Sequence, residues 1–475
     1  INGIMRDGTN PATPANINWV GGYNGSPTSP ISLSTYWLFK FDNYGNDYFS
    51  WVAITPTSPI RVGQAFTLKG SGAASNQNYV FTGKPNNGLV NSNTVSSDQL
   101  MLTGNPYPSS LDATAFINDN ITSNTIDGTL YFWEHYASNL THVLSDYQGG
   151  YAERNLVGGL PPVTPTLISG LGSSTRIPGQ FIPVGQGFFV SGKIGGGGII
   201  TYKNSQRSFH KEDEIGVSNP MFRTAANHKT KTTAINTNDP VVKDTLMKIR
   251  LGFNSNNNYH RQVLLGFMNE KATNGMDYGY DAISIDNFPN DMYFLNSENQ
   301  LVIQGVGYFD ANASYPIGVK TAVEGKVSFI VDALENFNSQ QPVFIYDNLT
   351  NTYNDIRNGL FEVTLPVGEN HTRFSLRFTD KTLNVAQNST SNQTIQINHI
   401  QNGNILEINN KSLSSKVEKV TLYSILGQSI SSWKIENQEQ QTIKIPIKTV
   451  SSGVYIAKLK TSDGELSKKI IVLDD

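Results

Sequence analysis

Residues 453–472 read GVYIAKLKTSDGELSKKIIV, two alternating apolar and polar runs joined through Ser462, Asp463 and Gly464. An Asp-Gly pair between two β-rich runs is a strong hairpin signal, because the turn needs residues that tolerate positive φ. Upstream, residues 442–450 (TIKIPIKTV) alternate Ile443, Ile445 and Ile447 with Lys444, Pro446 and Lys448, so one strand face can be buried and the other wetted. Pro446 has no N–H to give a ladder, which puts this strand at an edge or its proline on an open side. The apolar run of residues 421–430 (TLYSILGQSI) breaks at Gly427 and Gln428, which suit a turn. With IQINHI (395–400), NILEIN (404–409), KVTLYSIL (419–426) and SISSWKIE (429–436) added, there are about seven strands in about eighty residues. That is enough for a small immunoglobulin-like sandwich.

The rest of the chain extends the all-β reading. At 475 residues it is long enough for several cores. Charged residues are 15%, against roughly 25% in an average soluble protein, while Gly, Asn, Ser and Thr abound, so turns must be many. Residues 1–209 carry aromatic-rich runs such as STYWLFKFDN (34–43), GTLYFWEHY (128–136) and GQGFFVSG (185–192), which predict a β domain. One short helix is expected in SSLDATAFINDN (109–120), with Asp112 or Ser110 as its cap. KIGGGGII (193–200) reads as a flexible hairpin tip, since no Lys-Ser/Thr pair follows as in a phosphate loop. Residues 210–244 are polar and read as a linker. Residues 245–382 hold closely spaced strands, among them LMKIRLGF (246–253), RQVLLGFM (261–268) and KVSFIVDAL (326–334), which predict a second β-sandwich or jelly roll. A second polar linker, residues 383–394, suits a tether open to a peptidase. The last module is then residues 395–475, and the whole is tandem antiparallel sandwiches ending in a small seven-stranded one.

Several function classes are disfavoured. A net charge of −3 leaves no electrostatic footprint for nucleic acid. With no cysteine there is neither disulfide nor thiolate metal site. No run approaches the roughly 18 apolar residues of a membrane span. The opening INGIMRDGTN reads as loop, so residue 1 is expected to lie inside a longer chain.

The terminal stretches carry a family resemblance. TLYSILGQSI, then SSGVYIAKL (451–459), then KKIIVL (468–473) resemble the type A C-terminal sorting domain of the type IX secretion system of Bacteroidetes. Gly427, Gly453, Val454, Tyr455, Lys468, Lys469, Ile471 and Val472 fill its pattern, and Ile470 lies within the final run. The resemblance implies a secreted protein carried through an outer-membrane translocon, with a shuttle barrel and a sortase-like surface peptidase as partners. Tyr455 and Ile470, Ile471 and Val472 are candidates for packing or partner contact, and Lys468 and Lys469 for charge on the partner or protection of an open edge. Farther upstream, GKPNNG (83–88), GNPYPSSLDATAFI (104–117), GTLYFWEH (128–135), VGQGFFV (184–190), NSQR (204–207), LLGFMNEKATNGMDYGYDA (264–282), LVIQGVGYFD (301–310), YPIGVKT (315–321) and RFSLRF (373–378) resemble the stretch that precedes this domain in large flavobacterial surface proteins. Those relatives are adhesin-like, and some belong to gliding machinery. The implied role is surface display or release, without enzymatic activity.

Chemistry-bearing constellations are sparse. Seven histidines, His135, His142, His210, His228, His260, His371 and His399, show no HExxH and no metal spacing. Asp277, Asp281, Asp286 and Asp291, with Asn274 and Asn287, form the densest hard-oxygen cluster. Asp277, Asp281 and Asp286 are candidates for a structural calcium, the other reading being turn formers between strands. Glu134 beside Trp133 has the neighbours of a sugar site, yet YFWEHY also fits a strand filling a core. Trp19, Tyr36, Trp37 and Trp51 could stack on sugars or pack inside. The competing class is a polysaccharide-degrading or carbohydrate-binding protein with an aromatic site in the first region or upstream of residue 1.

Overall fold

The computed structural model describes residues 1–41, 50–73, 77–136, 141–166, 168–209, 244–255, 259–297, 299–380, 395–400, 403–410, 416–424, 428–436, 440–447, 450–462 and 464–472. The expected linker residues 210–243 and 383–394, together with Gly427, lie outside them. The chain forms two compact units, Ile1–Asp380 and Lys381–Asp475. Where separate domains are expected on either side of residues 210–244, the contacts gather both regions into one unit.

In the larger unit, strands Lys248–Asn254 to Gly368–Arg377 form one eleven-stranded sheet. Its neighbouring pairs are antiparallel except for His260–Phe267 beside Asn299–Val306. The sheet curls until its two terminal strands, Thr352–Asp355 and Leu360–Leu365, come together. The all-β class is as expected, and the strands of this region belong to one continuous ladder. Curling a sheet lets the side chains of one face pack together much as a second sheet would. Inside, Phe267 packs edge-on to Phe309, Tyr315, Phe337 and Phe378 at 5.0 to 5.9 Å.

The first region centres on a five-stranded sheet in the order Gly159–Leu160, Gly149–Arg154, Ile126–His135, Gly187–Gly192, Leu100–Gly104. Because side chains alternate along a strand, Leu130 and Phe132 join one core with Ala152, Phe188 and Val190. Tyr131 goes to the other face, with Phe41, Leu102 and Phe189. The helix Ala113–Thr122 covers the first face through Phe116 and Ile117. Asp112 caps it, accepting from the N–H of Thr114 at 2.8 Å and of Ala115 at 3.3 Å. Ser110 lies instead in a strand. Residues 193–196 do not form a hairpin tip. Strand Gly187–Gly192 pairs with Leu100–Gly104, whereas Gly197–Tyr202 pairs with Val90–Ser96, so the glycines carry the chain between sheets.

Two glycine contacts join the regions. Gly128, at φ +97°, lies so close to Gly279 that an added Cβ would stand 2.5 Å from the Gly279 Cα. The Gly279 N–H donates to the Asp127 carbonyl at 2.7 Å, and the Leu156 N–H donates to the Gly279 carbonyl at 2.8 Å. Gly266 and Gly305 sit opposite each other on neighbouring strands, and the hollow they leave holds Val157, whose Cγ1 is 2.3 Å from a Cβ built on Gly266. Val157 and Leu160 thereby belong to the core of the large sheet.

The smaller unit has seven strands in two sheets, Ile395–Ile400, Ile405–Asn410, Thr442–Pro446 and Ser429–Lys434, Val417–Ser424, Gly453–Thr461, Gly464–Val472. Pro446 lies on the edge strand of the first sheet, and the final hairpin pairs Thr461 with Gly464. Both features follow the sequence expectation.

Gly128→Ala adds a side chain at positive φ against backbone. It is expected to destabilise the larger unit by about 2 kcal/mol or more. In calorimetry of the full chain its melting transition falls, while that of the smaller unit stays in place. A single transition that shifts as a whole would contradict the two-unit reading.

Candidate functional site

A cleft of about 500 Å³ opens on the second face of the five-stranded sheet. One wall is the sheet itself, through Tyr131, Tyr151 and Phe189, with Phe41 and Trp51 beside them. The Phe189 ring meets Phe41, Trp51 and Tyr151 edge-on at 5.1 to 5.6 Å. The opposite wall is the segment that Gly279 anchors, including Tyr278, Asp281 and Asp286. Asp98 and Asp127 also line the space.

The carboxylates here are held away from their ordinary behaviour. Burial pushes Asp127 up to about 7, with the nearby Asp98 adding to the rise. Burial likewise raises Asp281 to about 7, even though it accepts from the N–H of Asp277 at 2.6 Å and of Gly305 at 2.9 Å. Glu153 follows Tyr151 by two residues and pairs with Tyr131 across the sheet, so it shares the cleft face. It is 6% exposed, and its Oε2 makes no hydrogen bond. Burial raises it to about 8; Arg261 opposes this, and Asp286, Asp291 and Asp127 reinforce it. Arg261 itself is engaged by Asp291 at 3.0 Å.

Of the residues singled out in the sequence, Trp51, Asp281 and Asp286 line the cleft. Asp277 braces its own turn, accepting from the Thr273 N–H at 2.6 Å and hydroxyl at 2.8 Å. Among the described residues, no group of three or more carboxylates or imidazoles is placed to hold a metal ion. Asp277 and Asp281 both accept hydrogen bonds from backbone N–H groups in their loop. Glu134 points to the face opposite Trp133, next to Phe132, and pairs with Arg176 at 3.2 Å. The two do not share a site. Trp19 packs on the small core of Met5, Ile17, Ile31 and Leu33. Tyr36 and Trp37 are edge-on neighbours at 4.9 Å and are not among the residues lining the cleft. Sequence reading missed Asp98, Asp127 and Glu153. The signal for Glu153 was a carboxylate at strand spacing from Tyr151 in the otherwise apolar GGYAER (149–154).

In the smaller unit, Ile470 and Val472 are buried in the sandwich core. Tyr455 packs against that core, and its hydroxyl donates to the Ser451 carbonyl at 3.0 Å. Gly453 opens its strand, Val454 is 37% exposed, and Ile471 pairs with Val454 along the ladder. Lys468 and Lys469 are exposed on Gly464–Val472, which is an edge of its sheet. Lys468 pairs with the buried Ala457, so it stands on the inner face at that edge.

A family model described as a domain of unknown function, DUF8693, matches residues 18–378. The chain belongs to the DUF8693 family. The match spans both regions of the larger unit, and so includes every residue that lines the cleft. Residues 403–473 match the secretion system C-terminal sorting domain. The DUF8693 chain is accordingly a type IX secretion substrate, which interacts with that system and is exported to the cell surface or the extracellular space. Among the described residues no helix is long and apolar enough to cross a membrane. No curated protein and no solved structure matches the chain.

The raised Glu153 makes a pH prediction. Its pKa is about 8 against an ordinary 4.5, so the folded state keeps a proton that the unfolded chain releases. Its contribution to stability therefore falls as pH rises from about 4.5 to about 8. Glu153→Gln removes that slope. Its melting temperature is expected to match wild type near pH 4.5 and to exceed it by roughly 3 °C or more at pH 8. Equal melting at pH 8 would contradict a buried, strained carboxylate.

Proposed function

We propose that the protein is an adhesin-like cargo whose larger unit binds glycan at the cell surface without turning it over. The observation that carries this reading is the aromatic-walled cleft, where Trp51, Tyr131 and Tyr151 offer rings and Asp127, Asp286 and Asn299 offer hydroxyl acceptors. Sugar recognition needs this combination, because C–H faces pack on rings while hydroxyls donate to fixed oxygens. The sorting unit supplies the address. Its open edge Gly464–Val472 suits strand addition by the translocon or the outer-membrane shuttle barrel, and Lys468 and Lys469 discourage pairing with other chains. A surface peptidase of the sortase type would then act on the segment before residue 395. A link to gliding motility in a Bacteroidetes host fits the same display.

Retention on glycan-coated surfaces tests the cargo reading. Trp51→Ala is expected to weaken retention of the full chain about tenfold, with circular dichroism confirming that the fold is kept. Release of new reducing ends by the wild-type chain would make it an enzyme and overturn the binding reading. For the address, residues 395–475 fused to a fluorescent cargo with an export signal should reach the surface of a type IX-competent host. Val472→Asp, which places a charge in the core, should leave the fusion periplasmic.

A further inference from the structure

We propose that Asn358 is a site of covalent self-modification: the backbone nitrogen of Gly359 closes on the Asn358 side chain and converts it, through a cyclic imide, to aspartate and isoaspartate. Asparagine before glycine is the pair in which this chemistry is easiest, because the missing Cβ leaves the attacking nitrogen unshielded and the chain free to turn. The sequence holds six such pairs. Five lie among the described residues, and the fold treats them differently.

Four of the five are held. The Gly88 N–H donates to the Asn204 side chain at 2.9 Å, while the Asn87 side-chain oxygen accepts from Asn204 at 3.0 Å and from Arg207 at 3.1 Å. The Gly275 N–H donates to the Thr273 hydroxyl at 3.0 Å, and Asn296 donates to the Gly275 carbonyl at 2.6 Å. Asn24 accepts from Lys69 at 2.9 Å, and Gly25 lies so near strand Ser32–Ser34 that an added Cβ would stand 2.1 Å from the Ser32 carbonyl oxygen. Around Asn2 and Gly3 the backbone is pinned on both sides. The Asn2 N–H donates to the Pro56 carbonyl at 2.9 Å, and the Gly3 carbonyl accepts from Thr82 at 3.0 Å and from Arg6 at 3.3 Å.

Asn358 and Gly359 differ from these. Both are exposed, and a Cβ built on Gly359 would meet nothing within 4 Å. Among the described residues, neither the Asn358 side chain nor the Gly359 N–H makes a hydrogen bond. The chain on either side is fixed. Ile356, 1% exposed, donates its N–H to the Val343 carbonyl at 2.9 Å. The Arg357 N–H donates to Asp355 at 2.8 Å and its guanidinium to the Ser339 carbonyl at 3.3 Å. Leu360 then begins the ladder opposite Ile330. Ring closure therefore needs only rotation within two exposed residues, and no strand has to leave the sheet.

The step balances with water as its only co-reactant. The Gly359 nitrogen bonds to Asn358 Cγ, the bond from Cγ to the side-chain nitrogen breaks, and ammonia leaves with the Gly359 proton. Water then opens the imide on one of two sides. Breaking the new bond at Cγ gives aspartate; breaking the original bond to the main-chain carbonyl carbon gives isoaspartate. Either product adds a negative charge. Isoaspartate also puts a methylene into the main chain between strands Thr352–Asp355 and Leu360–Leu365, the two ends of the large sheet.

Mass-spectrometric peptide mapping of the full chain, incubated in mildly alkaline heavy-oxygen water, tests this. Asn358 is expected to take up label at least about fivefold faster than Asn2, Asn24, Asn87 or Asn274, the cost to those pairs being the hydrogen bond or contact that must first break. Isoaspartyl methyltransferase should find isoaspartate at position 358. In denaturant all five pairs should convert at similar rates. Gly359→Ala, which shields the nitrogen, should slow conversion at Asn358 several-fold, with circular dichroism confirming the fold. A held pair converting as fast as Asn358 in the folded chain overturns the inference, as does an intact Asn358 over the time in which the denatured chain converts. Aspartate without isoaspartate, or an unchanged rate in Gly359→Ala, overturns the ring-closing route.

Discussion

Gly128 and Gly279 meet backbone to backbone, and the larger unit depends on that contact. With no side chain on either residue, the start of strand Ile126–His135 can lie against the 276–286 segment. The hydrogen bond from Gly279 to the Asp127 carbonyl then fixes their relative height. The aromatic face of the five-stranded sheet is thereby held opposite Tyr278, Asp281 and Asp286. A few residues along, Val157 fills the hollow left by Gly266 and Gly305, so the join is packed as well as hydrogen-bonded. Two regions that would otherwise bury their own faces share a core, and a cleft is left between their polar edges.

Two buried carboxylates outside the cleft are paired with arginine at short range. Asp347 takes two hydrogen bonds from Arg373, at 2.9 and 2.8 Å, and Asp291 holds Arg261. Around the cleft, burial raises the pKa values of Asp127, Asp281 and Glu153, the last against the opposing charge of Arg261. Isolated carboxylates in a partly dry space lower stability at neutral pH. Sites of this kind are where folds depart from their own rules for the sake of a ligand.

The sorting unit follows a different logic. Its seven strands bury a core of small aliphatic side chains, with Ile470 and Val472 of the last strand inside it. The terminal run is thus part of the sandwich core. What it offers outward is an open ladder edge and two lysines, one standing on the inner face where a neighbouring strand would need an apolar residue. Such an edge resists casual pairing and leaves main-chain groups for a dedicated partner. Address and cargo are separate compact units, so either can change without rebuilding the other.

Local pattern determined a good deal of this protein. The alternation around Pro446, the Asp-Gly turn before Gly464, the Asp112 cap and the strand runs of residues 245–380 all depend on neighbours in sequence, so they are readable there. The all-β class follows from those features, and the secretion address from the likeness of the terminal runs to the sorting domain. The cleft does not. Glu153 looks like any exposed strand carboxylate until Tyr131 pairs with it and Arg261 turns to Asp291; Glu134 looks like a partner of Trp133 until the pleat sends them to opposite faces. Likewise, one curled sheet and two facing sheets share the same alternating sequence, because period alone does not say which strands will be neighbours. Tertiary structure decided those matters, since burial and pKa depend on which strands become neighbours, and Gly128 meets a residue more than a hundred positions away in Gly279.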